Sequence, residues 1–179
     1  MALIKTVPHE QADGVIKQGY DMFLKNIGTI PKPMEMMSAS PALFEFQLQK
    51  IGYYSKHPTL SFALLAHIRY LAAHSLNYKF CMDFNKLVLK KIGLGDDDIK
   101  AMEEDTSKSL LEEKDNAMLC FVIKAMKAPD SVTKEDIDRL KGLGWEDRDI
   151  LDALAQGVSM IDHSIMMQAF QIDQHCLVK

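Results

Sequence analysis

Apolar residues recur every three or four positions along most of the chain, which is the spacing that places side chains on one face of an α-helix. In the first segment of this kind, the apolar positions are Val15, Ile16, Tyr20, Phe23, Leu24 and Ile27. No segment shows the alternation of apolar and polar residues that is typical of a half-buried strand. The pattern therefore predicts an all-α fold of about seven or eight helices.

Short motifs predict where several of these helices begin and end. Gly28 is expected to end the first helix, because glycine readily takes the left-handed conformation found just past helix ends. Ser40 and Pro41 are typical of an N-cap and a first helical residue. The helix that they open should end before Pro58, since a residue that precedes a proline avoids the α-helical region.

The most apolar helix is predicted over residues 59–75, and its neighbour along the chain over residues 78–92. Asn77 lies between them and is of the residue type that commonly caps a helix N-terminus. We therefore predict that Asn77 caps the second of these helices.

Composition indicates one folded domain, residues 1–179, because 47% of the 179 residues are hydrophobic. The 21 Lys and Arg residues oppose 25 Asp and Glu residues, so the net charge of −4 does not favour nucleic acid or an anionic membrane as a partner. No apolar run approaches the roughly 20 residues of a membrane span. Residues 1–10 do not resemble a signal peptide, and we therefore expect a cytoplasmic protein.

The three cysteines, Cys81, Cys120 and Cys176, are widely spaced and odd in number. This arrangement does not fit a disulfide framework, and it favours a reducing compartment. Cys120 lies within an apolar stretch and is predicted to belong to the core, whereas Cys176 is predicted to be exposed near the C-terminus.

His67, His74 and Cys81 are each seven residues apart and would share a face of one continuous helix. Such a set invites a zinc or haem hypothesis. However, the expected helix break at Asn77 would spoil the alignment, and no close pair of ligands such as C-x-x-C is present. We therefore predict no metal and no cofactor, and interpret the histidines as helix residues with local hydrogen bonds.

Cys81 is placed by the predicted boundaries in the first turn of its helix, where free N–H groups and the helix dipole favour a thiolate. Lys79 is close in sequence and would act in the same direction. Phe80, Met82 and Phe84 surround Cys81 in sequence, so an inert and buried thiol is the alternative interpretation.

The stretch AHIRYLAAHSLNYKFCMDFN, residues 66–85, resembles the central motif of the alkylhydroperoxidase D (AhpD) and carboxymuconolactone decarboxylase superfamily. The stretch SASPALFEFQLQ before it resembles that family's Ser-Pro-containing helix. After it come an apolar helix, a proline, a Thr-started helix and a long helix, in the family's order. The resemblance covers about residues 38–173 and implies an AhpD-like helical domain with an N-terminal helical extension, residues 1–37. It also implies a homo-oligomer, a trimer or a hexamer.

The resemblance is weaker at the active site, where peroxidatic members resemble E-L-I-R…C-x-x-C-x-x-x-H. Arg69 matches the arginine, and Cys81 matches the second cysteine, which in the family attacks the peroxide. Tyr78 stands in place of the first, resolving cysteine, while Ala66 and Asn85 replace the glutamate and the histidine. A C-x-x-C disulfide is therefore impossible, and the two proton-relay positions hold no acid or base.

Three hypotheses remain. In the first, the protein is a thiol-dependent peroxidase or oxidoreductase that uses Cys81 alone, with an external thiol as reductant. In the second, it is a small-molecule-binding or sensory protein, and the motif cavity is lined by His67, His74, Tyr78, Cys81 and Asn85. In the third, Arg69 binds a small carboxylate for non-redox catalysis, with a histidine or Tyr78 moving a proton.

Overall fold

The computed structural model describes residues 2–173, which form nine α-helices and no strand, together with three short 3-10 segments. The helices are α1 Gly14–Ile27, α2 Lys32–Met37, α3 Pro41–Ser55, α4 Phe62–Ser75, α5 Lys79–Lys91, α6 Asp96–Glu104, α7 Glu113–Lys127, α8 Lys134–Gly142 and α9 Asp147–Ala169. The predicted all-α class is confirmed, with slightly more helices than expected. None of the helices within residues 2–173 is long and apolar enough to cross a membrane.

One helix and one boundary differ from the prediction. Helix α2 was not predicted; it accommodates Pro33 because a proline in the first turn removes an N–H group that has no helical partner anyway. The predicted cap at Asn77 is wrong: Tyr78 is the N-cap of α5, and Asn77 takes the left-handed conformation, with φ 51°. Asn77 instead belongs to the end of α4, where its N–H donates to the His74 carbonyl.

The described residues divide into two compact units. The first contains the described parts of Met1–His57 and His163–Lys179. Its core includes Tyr20 of α1 and Phe44 of α3, whose rings meet edge to face with centroids 5.6 Å apart. Gly19 permits this packing, since a Cβ there would lie 2.5 Å from the Phe44 ring.

The second unit, Pro58–Asp162, is arranged around α4, which packs against α5 and α7. The side chains of Leu64 and Ile68 on α4 and of Leu119 and Val122 on α7 are fully buried. Gly157 of α9 also lies against this core, because a Cβ there would be 2.8 Å from Val122 Cγ1. Burying an apolar side chain at each of these positions stabilises the fold by about 1.5–3 kcal/mol, and together these side chains hold α4 in place. A fixed α4 in turn positions the polar residues that it carries toward α5.

Candidate functional site

The connection between α4 and α5 brings four of the predicted site residues together. Arg69 comes from α4, whereas Tyr78 immediately precedes α5. Cys81 and Asn85 are four residues apart on α5 and therefore share one face of that helix. The two helices pack against each other, so Arg69 reaches across to this face.

Asn85 joins the two helices through both ends of its amide. Its Oδ1 accepts a hydrogen bond of 3.0 Å from Arg69 Nε, and its Nδ2 donates one of 2.9 Å to the Cys81 carbonyl. The side chain is buried. Such an amide fixes the guanidinium relative to the first turns of α5.

Arg69 is a partly buried cation with no carboxylate partner among residues 2–173. Burial lowers the pKa of Arg69 to about 10, and the nearby Cys81 acts in the opposite direction by favouring the charged guanidinium. Arg69 is therefore still a cation at neutral pH. Because the attraction between two charges is mutual, the same guanidinium favours the thiolate form of Cys81.

Cys81 is the third residue of α5 and is 8% exposed, so the residue is buried without being fully closed off. Its place in the first turn is the one predicted, where the helix dipole favours negative charge. Lys79 was expected to assist, but its ammonium forms an ion pair with Asp83 at 2.7 Å. The positive charge associated with Cys81 therefore comes from Arg69 rather than from Lys79.

Tyr78 is fully buried, with 0% exposure, and its hydroxyl has no nitrogen or oxygen partner among the described residues. Among the surrounding side chains, Cys81 has the largest effect on the pKa of Tyr78, and Asp162 has a smaller one. Burial strongly raises the pKa of Tyr78, and negative charge on Cys81 raises it further. The phenol therefore keeps its proton and is available as a donor beside the thiol.

His67 and His74 lie elsewhere on α4. His67 is buried, and its Nδ1–H donates to the Ala63 carbonyl at 2.8 Å, which leaves Nε2 without a partner among the described residues. Burial lowers the pKa of His67, so the ring is neutral at pH 7. His74 is exposed and stacks on Tyr70, with ring centroids 6.3 Å apart. The described interactions of these histidines do not include Cys81.

The other cysteines differ from Cys81. Cys120 of α7 is partly exposed and donates to Asn116 Oδ1 at 3.2 Å. Burial raises its pKa above the usual value, and Asp105 raises it further, so Cys120 is a weakly reactive thiol at neutral pH. Cys176 lies outside the described residues. Among residues 2–173 there is also no group of three or more His, Cys, Asp or Glu residues suited to a metal ion.

The arrangement combines a buried thiol, a cation and a buried phenol that keeps its proton. Sequence reasoning treated Asn85 as the position where the acid–base histidine is replaced and as a residue that lines the motif cavity, and it missed the role of Asn85 as a bridge between helices. The signal that could have found it is the four-residue spacing from Cys81, which places both residues on one helical face.

Solved structures with the same fold are similar over nearly the whole chain. An uncharacterized peroxidase-related protein from Ralstonia eutropha JMP134, an alkylhydroperoxidase AhpD core, has a TM-score of 0.81 at 16% identity and covers 96% of this chain and 91% of its own. A peroxidase-related protein from Silicibacter sp. TM1040 has a TM-score of 0.78 at 15% identity, with the same coverage. The debrominase Bmp8, as a cysteine-to-alanine variant in complex with 2,3,4-tribromopyrrole, has a TM-score of 0.78 at 14% identity and covers 98% of this chain and 93% of its own.

Neither a protein-family profile nor a curated protein matches the sequence. The structural similarities confirm the predicted AhpD-like fold. At sequence identities of 14–16%, these similarities establish the fold and leave the chemistry of this protein open to proposal.

Proposed function

We propose, with the AhpD-like fold as the premise, that the protein is a thiol-dependent peroxidase that uses Cys81 as its only redox cysteine. The observation that carries this proposal is the bridge through Asn85, which accepts from Arg69 at 3.0 Å and donates to the Cys81 carbonyl at 2.9 Å, and so holds near Cys81 a cation that no described carboxylate neutralises. Together with the first turn of α5, this cation favours the thiolate, which is the nucleophilic form of cysteine.

In the proposed reaction, the Cys81 thiolate attacks one oxygen of a hydroperoxide, and the O–O bond breaks. The sulfur is oxidised to a sulfenic acid, and the other oxygen leaves as an alkoxide that takes up a proton and becomes an alcohol. The Tyr78 hydroxyl is suited to donate a hydrogen bond to the leaving oxygen, because it keeps its own proton.

The reductant must come from outside the chain, because a tyrosine stands where a resolving cysteine would be. One external thiol condenses with the sulfenic acid, which releases water and leaves a mixed disulfide on Cys81. A second thiol then attacks that disulfide, so that Cys81 returns as a thiol and the external pair leaves as a disulfide. Each turnover consumes one hydroperoxide and two thiols.

The test is consumption of cumene hydroperoxide in the presence of dithiothreitol. We expect Cys81→Ser to abolish consumption above the uncatalysed rate, whereas Cys120→Ser should retain most of the activity. Dimedone, which reacts with sulfenic acids, should label Cys81 after a single addition of peroxide. Equal activity of the wild type and Cys81→Ser would overturn the proposal.

The second candidate is a small-molecule-binding protein without turnover. It is favoured by Ala66 and Asn85, which cannot transfer protons at the positions where the peroxidatic relatives carry a glutamate and a histidine. Under this alternative, dimedone labelling of Cys81 would be absent, while small ligands would still raise the melting temperature of the wild type.

A further inference from the structure

We propose that Arg69 makes the Cys81 site selective for substrates that carry a carboxylate, so that carboxylate-bearing hydroperoxides are preferred over neutral ones. This inference rests on the proposed thiol chemistry of Cys81 and deepens it by naming the substrate class. It assigns to Arg69 the role of a specificity-determining residue.

The first step is the charge balance around Arg69. Three cations on α5 have carboxylate partners: Lys79 pairs with Asp83 at 2.7 Å, and Lys86 and Lys90 lie 3.3 and 2.8 Å from Asp96. Arg69 differs, because its one described hydrogen bond goes to the neutral amide of Asn85. A partly buried cation is costly without a counter-charge, so the site gains stability when an anion binds there.

The second step concerns the donors that remain on Arg69. A guanidinium has five N–H groups in a planar fork, and only the Nε–H is used, toward Asn85 at 3.0 Å. No described residue accepts a hydrogen bond from the terminal Nη groups. Paired N–H groups of this kind match the two oxygens of a carboxylate, and the bond to Asn85 holds them in a fixed direction.

The third step is an independent sign of a ligand at the same place. The Tyr78 hydroxyl is fully buried and has no nitrogen or oxygen partner among the described residues, although buried hydroxyls are normally hydrogen-bonded. Its hydrogen-bond partner is the Cys81 sulfur, which is a weak acceptor. A substrate oxygen at the sulfur would give the hydroxyl an oxygen acceptor, while the substrate's carboxylate occupies Arg69.

The fourth step is electrostatic. A thiolate and a substrate carboxylate repel each other, so an anionic substrate reaches a thiolate readily only when a cation offsets the repulsion. Arg69 is that cation, because Asn85 holds it against the turn of α5 that carries Cys81. A neutral substrate benefits only from the thiolate that Arg69 favours, and not from a charge–charge contact with Arg69.

The primary test measures binding by isothermal titration calorimetry, with benzoate and benzamide as probes that differ chiefly in charge. We expect the wild type to bind benzoate at least about tenfold more tightly than benzamide. Arg69→Met should lose this preference, and Arg69→Lys should keep part of it. Equal binding of the two probes by the wild type, or no binding of either, would overturn the inference.

A second measurement needs no variant and uses the alkylation of Cys81 by iodoacetate and by iodoacetamide, followed at each cysteine by peptide mass spectrometry. Relative to glutathione, Cys81 should favour the anionic reagent by about tenfold, whereas Cys120 should show no such preference. A Cys81 that reacts with both reagents in the glutathione ratio would overturn the anion selectivity and leave the peroxidase proposal standing. A Cys81 that reacts with neither would count against the peroxidase, while benzoate binding would still decide the present inference.

Discussion

The two described thiols of the unit Pro58–Asp162 both lie on helices and near an asparagine, but their electrostatic surroundings are opposite. Cys81 lies in the first turn of α5, and Cys120 lies in the middle of α7. Each has an asparagine four residues away: Asn85 bonds the Cys81 carbonyl and holds Arg69, whereas Asn116 Oδ1 accepts the Cys120 thiol proton itself. The Cys81 amide partner therefore holds a cation toward the thiol's helix, whereas the Cys120 amide partner accepts the thiol proton itself.

For these two thiols, solvent exposure and electrostatic surroundings predict opposite orders of reactivity. Cys120 is the more exposed of the two residues, so accessibility alone would make it the more reactive thiol. Electrostatics predicts the reverse order, because burial and Asp105 raise the pKa of Cys120, while Arg69 favours negative charge on Cys81. Reactivity that follows charge rather than exposure is what a functional thiol site requires.

The largest expected effect is therefore that the more buried thiol, Cys81, reacts faster than the more exposed thiol, Cys120. At pH 7, N-ethylmaleimide should modify Cys81 about 100-fold faster than Cys120, since only the thiolate reacts and Cys120 remains almost entirely protonated. The measurement is time-resolved peptide mass spectrometry on the native protein. Because the pKa of Cys120 is raised, its rate should still be climbing above pH 9.

The control for this prediction is the protein unfolded in urea, where the two cysteines should react at similar rates. A faster reaction at Cys120 in the native state would mean that exposure dominates. In that case the electrostatic comparison, and with it the case for Cys81 as a nucleophile, would fail.

The next effect concerns the two asparagines. Asn85→Ala should slow maleimide modification of Cys81 by about tenfold, because the guanidinium loses the bond that holds it against α5. It should also lower the free energy of unfolding by about 1–3 kcal/mol, since a buried amide and a partly buried cation lose their partners.

The matched change is Asn116→Ala, which removes the acceptor of the Cys120 thiol and a donor to the Ser107 carbonyl. Because Asn116 holds no cation at the sulfur, we expect the Cys120 rate to change by less than about twofold. Urea unfolding and the same mass-spectrometric assay measure both variants. Similar rate losses at both thiols would show that Asn85 acts through general loosening rather than through Arg69.

Much of the fold could be predicted because its signals are local. The apolar periodicity and Gly28 give α1, and Gly28 indeed closes it in the left-handed conformation. The mistake at Asn77 is instructive, since asparagine is favoured both as an N-cap and as a left-handed residue after a helix. Local sequence cannot choose between these two uses, and here the second applies.

The site was less accessible to prediction because it depends on contacts between helices. The resemblance directed attention to Arg69 and Cys81, but the bond from Arg69 to Asn85 spans 16 residues and forms only when α4 packs on α5. The seven-residue spacing grouped His67 with Cys81, yet the described partners of His67 are Ala63 and Asp115. The chain turns at Asn77, so a spacing that assumes one continuous helix does not carry across it.

The smallest expected effect tests the buried hydroxyl that completes the Cys81 surroundings. Tyr78→Phe removes an oxygen that has no nitrogen or oxygen partner among the described residues, so the free energy of unfolding should fall by less than about 0.5 kcal/mol or rise slightly. Tyr20→Phe is the matched control: Tyr20 is equally buried, but its hydroxyl donates to the Val7 carbonyl at 3.0 Å, and its loss should cost about 1 kcal/mol.

In the maleimide assay, Tyr78→Phe should change the Cys81 rate by about threefold at most, because the phenol donates to the sulfur without carrying charge. Peroxide consumption should fall more than the maleimide rate, since only the peroxide reaction has a leaving oxygen for Tyr78 to stabilise. Equal losses in the two assays would assign Tyr78 to the packing of Cys81, and the functional contrast between the two thiols would then rest on Arg69 alone.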